Sequence, residues 1–188
     1  MTTKLAVFAS GSGSNFQAIA ESIVRGELDA NIELVITDKP GAYVVTRAQN
    51  LGIEVLELAP KSFENKAAYE AKIIEVLKEK EVEWVILAGY MRLIGETLLA
   101  AFENRIINIH PSLLPSFPGK DAIGQAMEHG VKVTGVTVHY VDAGMDTGKI
   151  IAQGAVDVVD NDREKTEERI HKLEHALYTK TLQQLFNK

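Results

Sequence analysis

What most limits the folds open to this chain is the order of its apolar segments. Short strand-like runs at Leu5–Ala9, Ile32–Thr37, Ile53–Leu58, Trp84–Ala88 and Arg105–Ile109 alternate with stretches of helical period. Phe16, Ile19, Ala20, Ile23 and Val24 make one apolar stripe. Tyr69, Ile73, Val76 and Leu77 make another, on a helix expected over Lys66–Lys80. Shorter helices are expected over about Ala42–Leu51 and Leu93–Phe102. Trp84–Ala88 is apolar throughout, as in a strand covered on both faces. Strands alternating with helices predict βαβ units and a parallel, doubly wound sheet.

The second half changes character. Pro111, Pro115 and Pro118 fall within eight residues, so a rigid irregular loop follows the fifth run. A short helix is expected near Ala122–His129. Val131–Val141 and Ile150–Val159 read as two strands joined by Asp142–Lys149, an antiparallel addition to the sheet. Ile170, Leu173, Leu177 and Leu185 give a long closing helix its apolar stripe. The expectation is one α/β domain over residues 1–188, with a Rossmann-like N-terminal half.

Composition narrows the chemistry. Cysteine is absent, which removes disulfides, zinc thiolates, iron–sulfur clusters and a cysteine nucleophile. Lys and Arg number 20 against 26 Asp and Glu, a net charge of -6, which argues against a nucleic-acid partner. No apolar run approaches the roughly 20 residues that span a bilayer. Met1–Lys4 leads straight into the first strand, so no leader and a cytoplasmic location are expected.

Three segments carry chemistry. Gly11-Ser12-Gly13-Ser14-Asn15 follows the first strand, where glycines allow a tight turn and a helix N-terminus attracts an anion. Phe16 replaces the third glycine of a dinucleotide fingerprint, and the Gly-Lys-Ser/Thr ending of a Walker loop is missing. The segment suits a single phosphate, or equally a capped turn that binds nothing. Asn108 and His110 project from one face of the fifth strand, and Pro111 ends it. In such a sheet ligands bind beyond the carboxyl ends of strands, and an amide beside an imidazole there suits an oxyanion. The same groups would also serve to satisfy the loop backbone. Asp142-Ala143-Gly144-Met145-Asp146-Thr147-Gly148 lacks the ligand pattern of a calcium loop, because Gly144 and Gln153 stand at its third and twelfth positions. It reads as a glycine-rich connection, or as the source of a carboxylate that would keep His110 charged. His110, His139 and Asp146 match no metal motif, and Ser112 and Ser116 lack a nucleophile elbow.

Taken together, Ser10-Gly-Ser-Gly-Ser-Asn15, Ala88-Gly-Tyr-Met-Arg92, Asn108-Ile-His-Pro-Ser-Leu-Leu-Pro115 and Phe117-Pro-Gly119 resemble the folate-dependent formyltransferases. Asp142-x-Gly-x-Asp146-x-Gly148 and Leu173-Glu-His-Ala-Leu-Tyr178 narrow the resemblance to the phosphoribosylglycinamide formyltransferases of purine synthesis, over Leu5 to Tyr178. The resemblance implies direct formyl transfer from 10-formyltetrahydrofolate to the amine of glycinamide ribonucleotide through a tetrahedral intermediate, with no metal. It makes Asn108, His110 and Asp146 the catalytic set. Gly13, Ser14, Asn15 and Glu174 would bind the ribonucleotide. Lys66, Met91, Arg92, Leu93, Ile94, Asn108, Val141 and Asp142 would bind the folate.

Ser12, Lys66, Lys149 and Thr179 depart from that family's usual residues, and Lys66 matters most because lysine does not reproduce an arginine fork. The alternatives are a formyltetrahydrofolate hydrolase, a methionyl-tRNA formyltransferase or a non-catalytic nucleotide-phosphate module. The first two normally carry an extra domain, for which this chain is expected to be too short. The expected partners are small molecules, with a monomer or homodimer as the assembly.

Overall fold

The computed structural model describes residues 1–187. Its elements are β1 (Thr3–Phe8), α1 (Ser14–Val24), β2 (Ala30–Thr37), α2 (Tyr43–Asn50), β3 (Val55–Glu57), α3 (Lys66–Glu79), β4 (Trp84–Leu87), α4 (Glu96–Ala101), β5 (Ile106–His110), α5 (Ala122–His129), β6 (Val133–Tyr140), β7 (Ile150–Asp157) and α6 (Arg163–Phe186). A 3-10 turn at Pro60–Ser62, absent from the sequence reading, precedes α3. Among the described residues the strands form one sheet in the order β3-β2-β1-β4-β5-β6-β7. β1 to β5 are parallel, while β6 and β7 are antiparallel additions, as the sequence pattern predicts. No helix among those residues is long and apolar enough to cross a membrane.

Burial on both faces explains why the central strands are apolar without alternation. In β1, Leu5 and Val7 pack with Phe16 and Ile19 of α1 and with Ile170 and Tyr178 of α6. Ala6 and Phe8 turn the other way, onto Tyr69, Ile73 and Leu77 of α3 and Leu98 of α4. β3 is shorter than Ile53–Leu58 because only Val55–Glu57 find partners, opposite Val35–Thr37.

Two helices differ usefully from their predicted form. Periodicity starts α4 at Leu93, yet the helix begins at Glu96. The buried Glu70 carboxylate on α3 accepts from the backbone N–H of Gly95 at 2.8 Å and of Leu98 at 3.3 Å. It therefore caps α4 from another element and leaves Leu93–Gly95 outside the helix. In α6 the most buried line runs Ile170, Glu174, Tyr178, Leu182, Phe186, with Leu173, Leu177 and Leu185 partly buried beside it. Glu174 is thus a carboxylate in an otherwise apolar row at spacing four, a placement that requires a polar partner.

Tyr178 ties α6 to the sheet just below the strand ends. Its hydroxyl donates to the Leu87 carbonyl at 2.7 Å, with the Ile107 carbonyl at 3.2 Å. Replacing Tyr178 by Phe removes that donor from a fully buried position and is expected to cost about 1–2 kcal/mol of stability. Urea unfolding checks this, and a midpoint equal to that of the unmodified protein would show the hydroxyl to be idle.

Candidate active site

The chain order reverses direction between β1 and β4, which is where an open α/β sheet leaves a crevice at its strand ends. A cavity of about 520 Å³ opens there, a size suited to small-molecule ligands. Four connections supply most of its walls. They are the loop after β1 (Gly11–Asn15), the segment after β4 (Ala88–Ile94), and the end of β5 with the Pro111–Ala122 and Gly144–Asp146 loops over it.

At one end of the cavity stands the N-terminus of α1. Gly13 takes the N-cap position at φ 76° with no side-chain cap. A Cβ on it would lie 2.6 Å from Val44 Cγ2, so glycine is required both for conformation and for space. The loop is braced by α2: Val44 N–H donates to the Gly11 carbonyl at 3.1 Å, and Arg47 Nε to the Ser12 carbonyl at 2.8 Å. First-turn N–H groups left without helical partners form an anion site. Asn15 is nearly buried, and its Oδ1 has no partner. Its amide nitrogen lies 3.5 Å from Glu174 Oε2, which also accepts from His171 Nδ1 at 3.0 Å. That carboxylate holds the His171 imidazole above its usual value, while burial pushes the neighbouring His175 down.

At the other end, Asp146 stands between two imidazoles. Its Oδ2 is 3.5 Å from His110 Nδ1, and its Oδ1 is 3.8 Å from His139 Nε2. Asp146 adopts φ 56°, a left-handed backbone that Asp tolerates better than most residues, and Gly119 N–H donates to its Oδ2 at 2.8 Å. His110 Nε2 faces the Phe117 carbonyl at 2.9 Å, so that nitrogen carries a proton. His139 Nδ1 likewise donates to the Tyr140 carbonyl at 2.9 Å. Burial lowers the His139 imidazole below its ordinary value, favouring the neutral form. Its Nε2 is then a lone pair, which receives the Asn108 amide N–H at 3.3 Å. Asn108 and His139 are opposed in the β5–β6 register and share a face of the sheet.

Between the two ends the lining is apolar. Leu87, Ala88, Leu93, Ile94 and Val141 contribute, and Met91, Leu93 and Met145 remain exposed at the mouth. Tyr90 sits below them, with its ring edge-on to Phe8 at 5.3 Å and its phenol pushed up by burial. Exposed apolar side chains around a polar-floored cavity suit a flat ring system with hydrogen-bonding edges.

The structure thus brings together Asn108, His110 and Asp146, and likewise Gly13, Ser14, Asn15 and Glu174. Met91, Arg92, Leu93, Ile94 and Val141 also line the cavity. Lys66 and Asp142 do not. Lys66 is an exposed first-turn residue of α3 whose chain runs past Gly95. Asp142 instead braces its own loop, accepting from Gly144 N–H at 3.0 Å and Thr147 Oγ1 at 2.6 Å. Ser112 is fully buried and its hydroxyl donates to the Ser116 carbonyl at 2.6 Å, which disqualifies it as a nucleophile. His139 and His171 also line the cavity, and the sequence reading left them without a role here. Only strand register reveals the first. The second carries a weak signal, lying three residues, about one helical turn, before Glu174.

The formyl transferase family profile matches residues 3–182. The chain belongs to this family. Over 183 residues it is 57% identical to phosphoribosylglycinamide formyltransferase of Bacillus subtilis strain 168, covering 97% of this chain and 94% of that one. It superposes on the crystal structure of glycinamide ribonucleotide transformylase 1 from Geobacillus kaustophilus with a TM-score of 0.97, at 54% identity and full coverage of both chains. It is also 40% identical over 188 residues to the trifunctional purine biosynthetic protein adenosine-3 of Drosophila melanogaster, spanning 98% of this chain and 14% of that protein. The chain is a one-carbon transferase of purine biosynthesis, and the family's formyl donor is 10-formyltetrahydrofolate. The apolar walls fit such a donor.

Two of the cavity histidines, His139 and His171, should be displaced in opposite directions from the ordinary value of 6.5, which histidine side-chain NMR would follow. His171, raised, contributes stability that is complete below 6.5 and lost as pH rises through its folded value. His139, lowered, contributes loss instead: as pH falls below 6.5 the unfolded chain takes up the proton first. A His139 midpoint above 6.5 would show that burial does not dominate at this ring.

Proposed function

We propose that the chain, acting as one domain over residues 1–188, transfers the formyl group of 10-formyltetrahydrofolate to the amine of glycinamide ribonucleotide. The products are formylglycinamide ribonucleotide and tetrahydrofolate. The observation that carries this reading is the single cavity that joins an uncapped helix N-terminus to Asn108, His110 and Asp146. A phosphate held at the first end would direct the remainder of an acceptor toward the second. The names of its close relatives support the same pair of substrates.

Gly13, Ser14 and Asn15 bind the phosphate through the first-turn N–H groups and the Ser14 hydroxyl. Glu174, already hydrogen-bonded by His171, receives ribose hydroxyls. Met91, Leu93, Ile94 and Val141 enclose the pterin, and Arg92, beside the Tyr69 ring at 5.6 Å, turns its charge toward the donor's acidic end. The acceptor amine attacks the formyl carbon, and the bond from that carbon to the donor nitrogen breaks. Negative charge gathers on the formyl oxygen between the two events. One N–H of Asn108 is held by His139, leaving the second for that oxygen. His110 carries one proton on the nitrogen facing Phe117. A second proton, on the nitrogen facing Asp146, makes the imidazolium that stabilises the oxyanion. Asp146, loosely spaced from both rings, accepts the proton shed by the amine, directly or through water, and that proton is then passed on to the leaving nitrogen. No enzyme nucleophile is required. The protein works as a monomer or homodimer in the cytoplasm.

Formyl transfer is assayed with both substrates, beside a control lacking the ribonucleotide. Tetrahydrofolate release that depends on the ribonucleotide supports the reading, and release without it would mark a hydrolase. Asn108→Ala, His110→Ala and Asp146→Ala should each lower kcat about 10²- to 10³-fold while the protein stays folded. Unchanged turnover in any of them would remove that residue from the set.

A further inference from the structure

The wall that encloses the donor is held by a residue that none of the catalytic chemistry uses. Ser10 is 3% exposed and Asp38 8% exposed, both buried at the carboxyl ends of β1 and β2. The Ser10 hydroxyl donates to Asp38 Oδ1 at 2.6 Å, and its oxygen accepts the Met91 backbone N–H at 2.9 Å. The Ser10 backbone N–H donates to the Gly89 carbonyl at 3.0 Å, and Gly89 turns the chain at φ 77°. A single residue therefore grips both sides of the turn that follows β4. Glu70 grips the far end of the same segment through Gly95 and Leu98.

A serine hydroxyl has one proton and two lone pairs. By taking the proton, Asp38 fixes the rotor and leaves a lone pair aimed at Met91. The carboxylate in turn polarises the hydroxyl and strengthens its acceptance. The Asp38 side chain has no other hydrogen bond among the described residues. Its burial is otherwise unexplained, because a carboxylate is left in the interior only when it is paired.

From these contacts we propose that Ser10, oriented by Asp38, is a positioning residue that sets the Met91–Ile94 wall against the phosphate loop that Ser10 itself begins. This rests on the reading of that wall as the donor's site. The two substrates must meet at near-contact distance, and the phosphate loop leaves from the same residue to which the donor wall is hydrogen-bonded. A small displacement of one relative to the other is felt as poorer donor binding.

The test uses the full chain. Ser10→Ala removes the hydroxyl, and the loss of one such hydrogen bond corresponds to about a 3- to 10-fold rise in KM for 10-formyltetrahydrofolate. KM for the ribonucleotide should stay unchanged, and kcat within about twofold. Asp38→Ala should reproduce the defect, whereas Asp38→Asn, which keeps an oxygen acceptor for the hydroxyl, should restore the donor KM. An unchanged donor KM in Ser10→Ala would overturn the proposal. So would equal losses toward both substrates that track a lowered melting temperature, since those would mark a purely structural contact. Amide hydrogen exchange at Met91 in the ligand-free protein supplies a readout independent of substrate. Faster exchange in Ser10→Ala is expected, and unaltered exchange would refute the clamp. If the unmodified protein transferred no formyl group, the functional reading would fail while the exchange measurement still decided the clamp.

Discussion

Burial of both faces of β1 and β4 is the constraint from which the rest of the structure follows. Strands whose side chains all point into helices have no side chain free for chemistry. Polar groups are then pushed to where the strands end and the helical layers part. The cavity forms there because β1 sends its chain one way across the sheet while β4 and β5 extend it the other. The Tyr178 hydroxyl on the Leu87 carbonyl ties down this rim, one residue before the Ala88–Ile94 wall.

Around that rim, hydrogen-bond direction does more than charge. The Tyr140 carbonyl forces a proton onto one nitrogen of His139, burial keeps the second proton off, and the Asn108 amide takes the orientation that remains. The Phe117 carbonyl fixes one proton of His110 in the same manner. Two backbone carbonyls thus set the polarity of this end of the cavity. Asp146 is held by the Gly119 N–H and lies 3.5 and 3.8 Å from the two rings, too far for a short hydrogen bond to either.

Much of this was legible beforehand. Period and punctuation identify β1 through β5 and the two antiparallel strands, because burial on one or two faces leaves a direct mark on residue order. The α4 start was misplaced, since the carboxylate that caps it is Glu70, 25 residues earlier on another helix. Lys66 and Asp142 resemble ligand contacts by position alone, yet exposure on α3 and an internal loop bracket keep them out of the cavity.

By itself the sequence determined the parallel-then-antiparallel architecture, the glycine at the α1 cap and the strand-end pairing of Asn108 with His110. Each depends on neighbours within a few residues, through steric limits or the two-residue period of a strand. Tertiary structure alone decided that His139 faces Asn108, that Glu174 reaches Asn15 across 159 positions, and that Ser10 and Asp38 hold Met91. Those contacts join residues far apart in the chain. They exist only once the sheet has set its strand order and register, which no local pattern encodes.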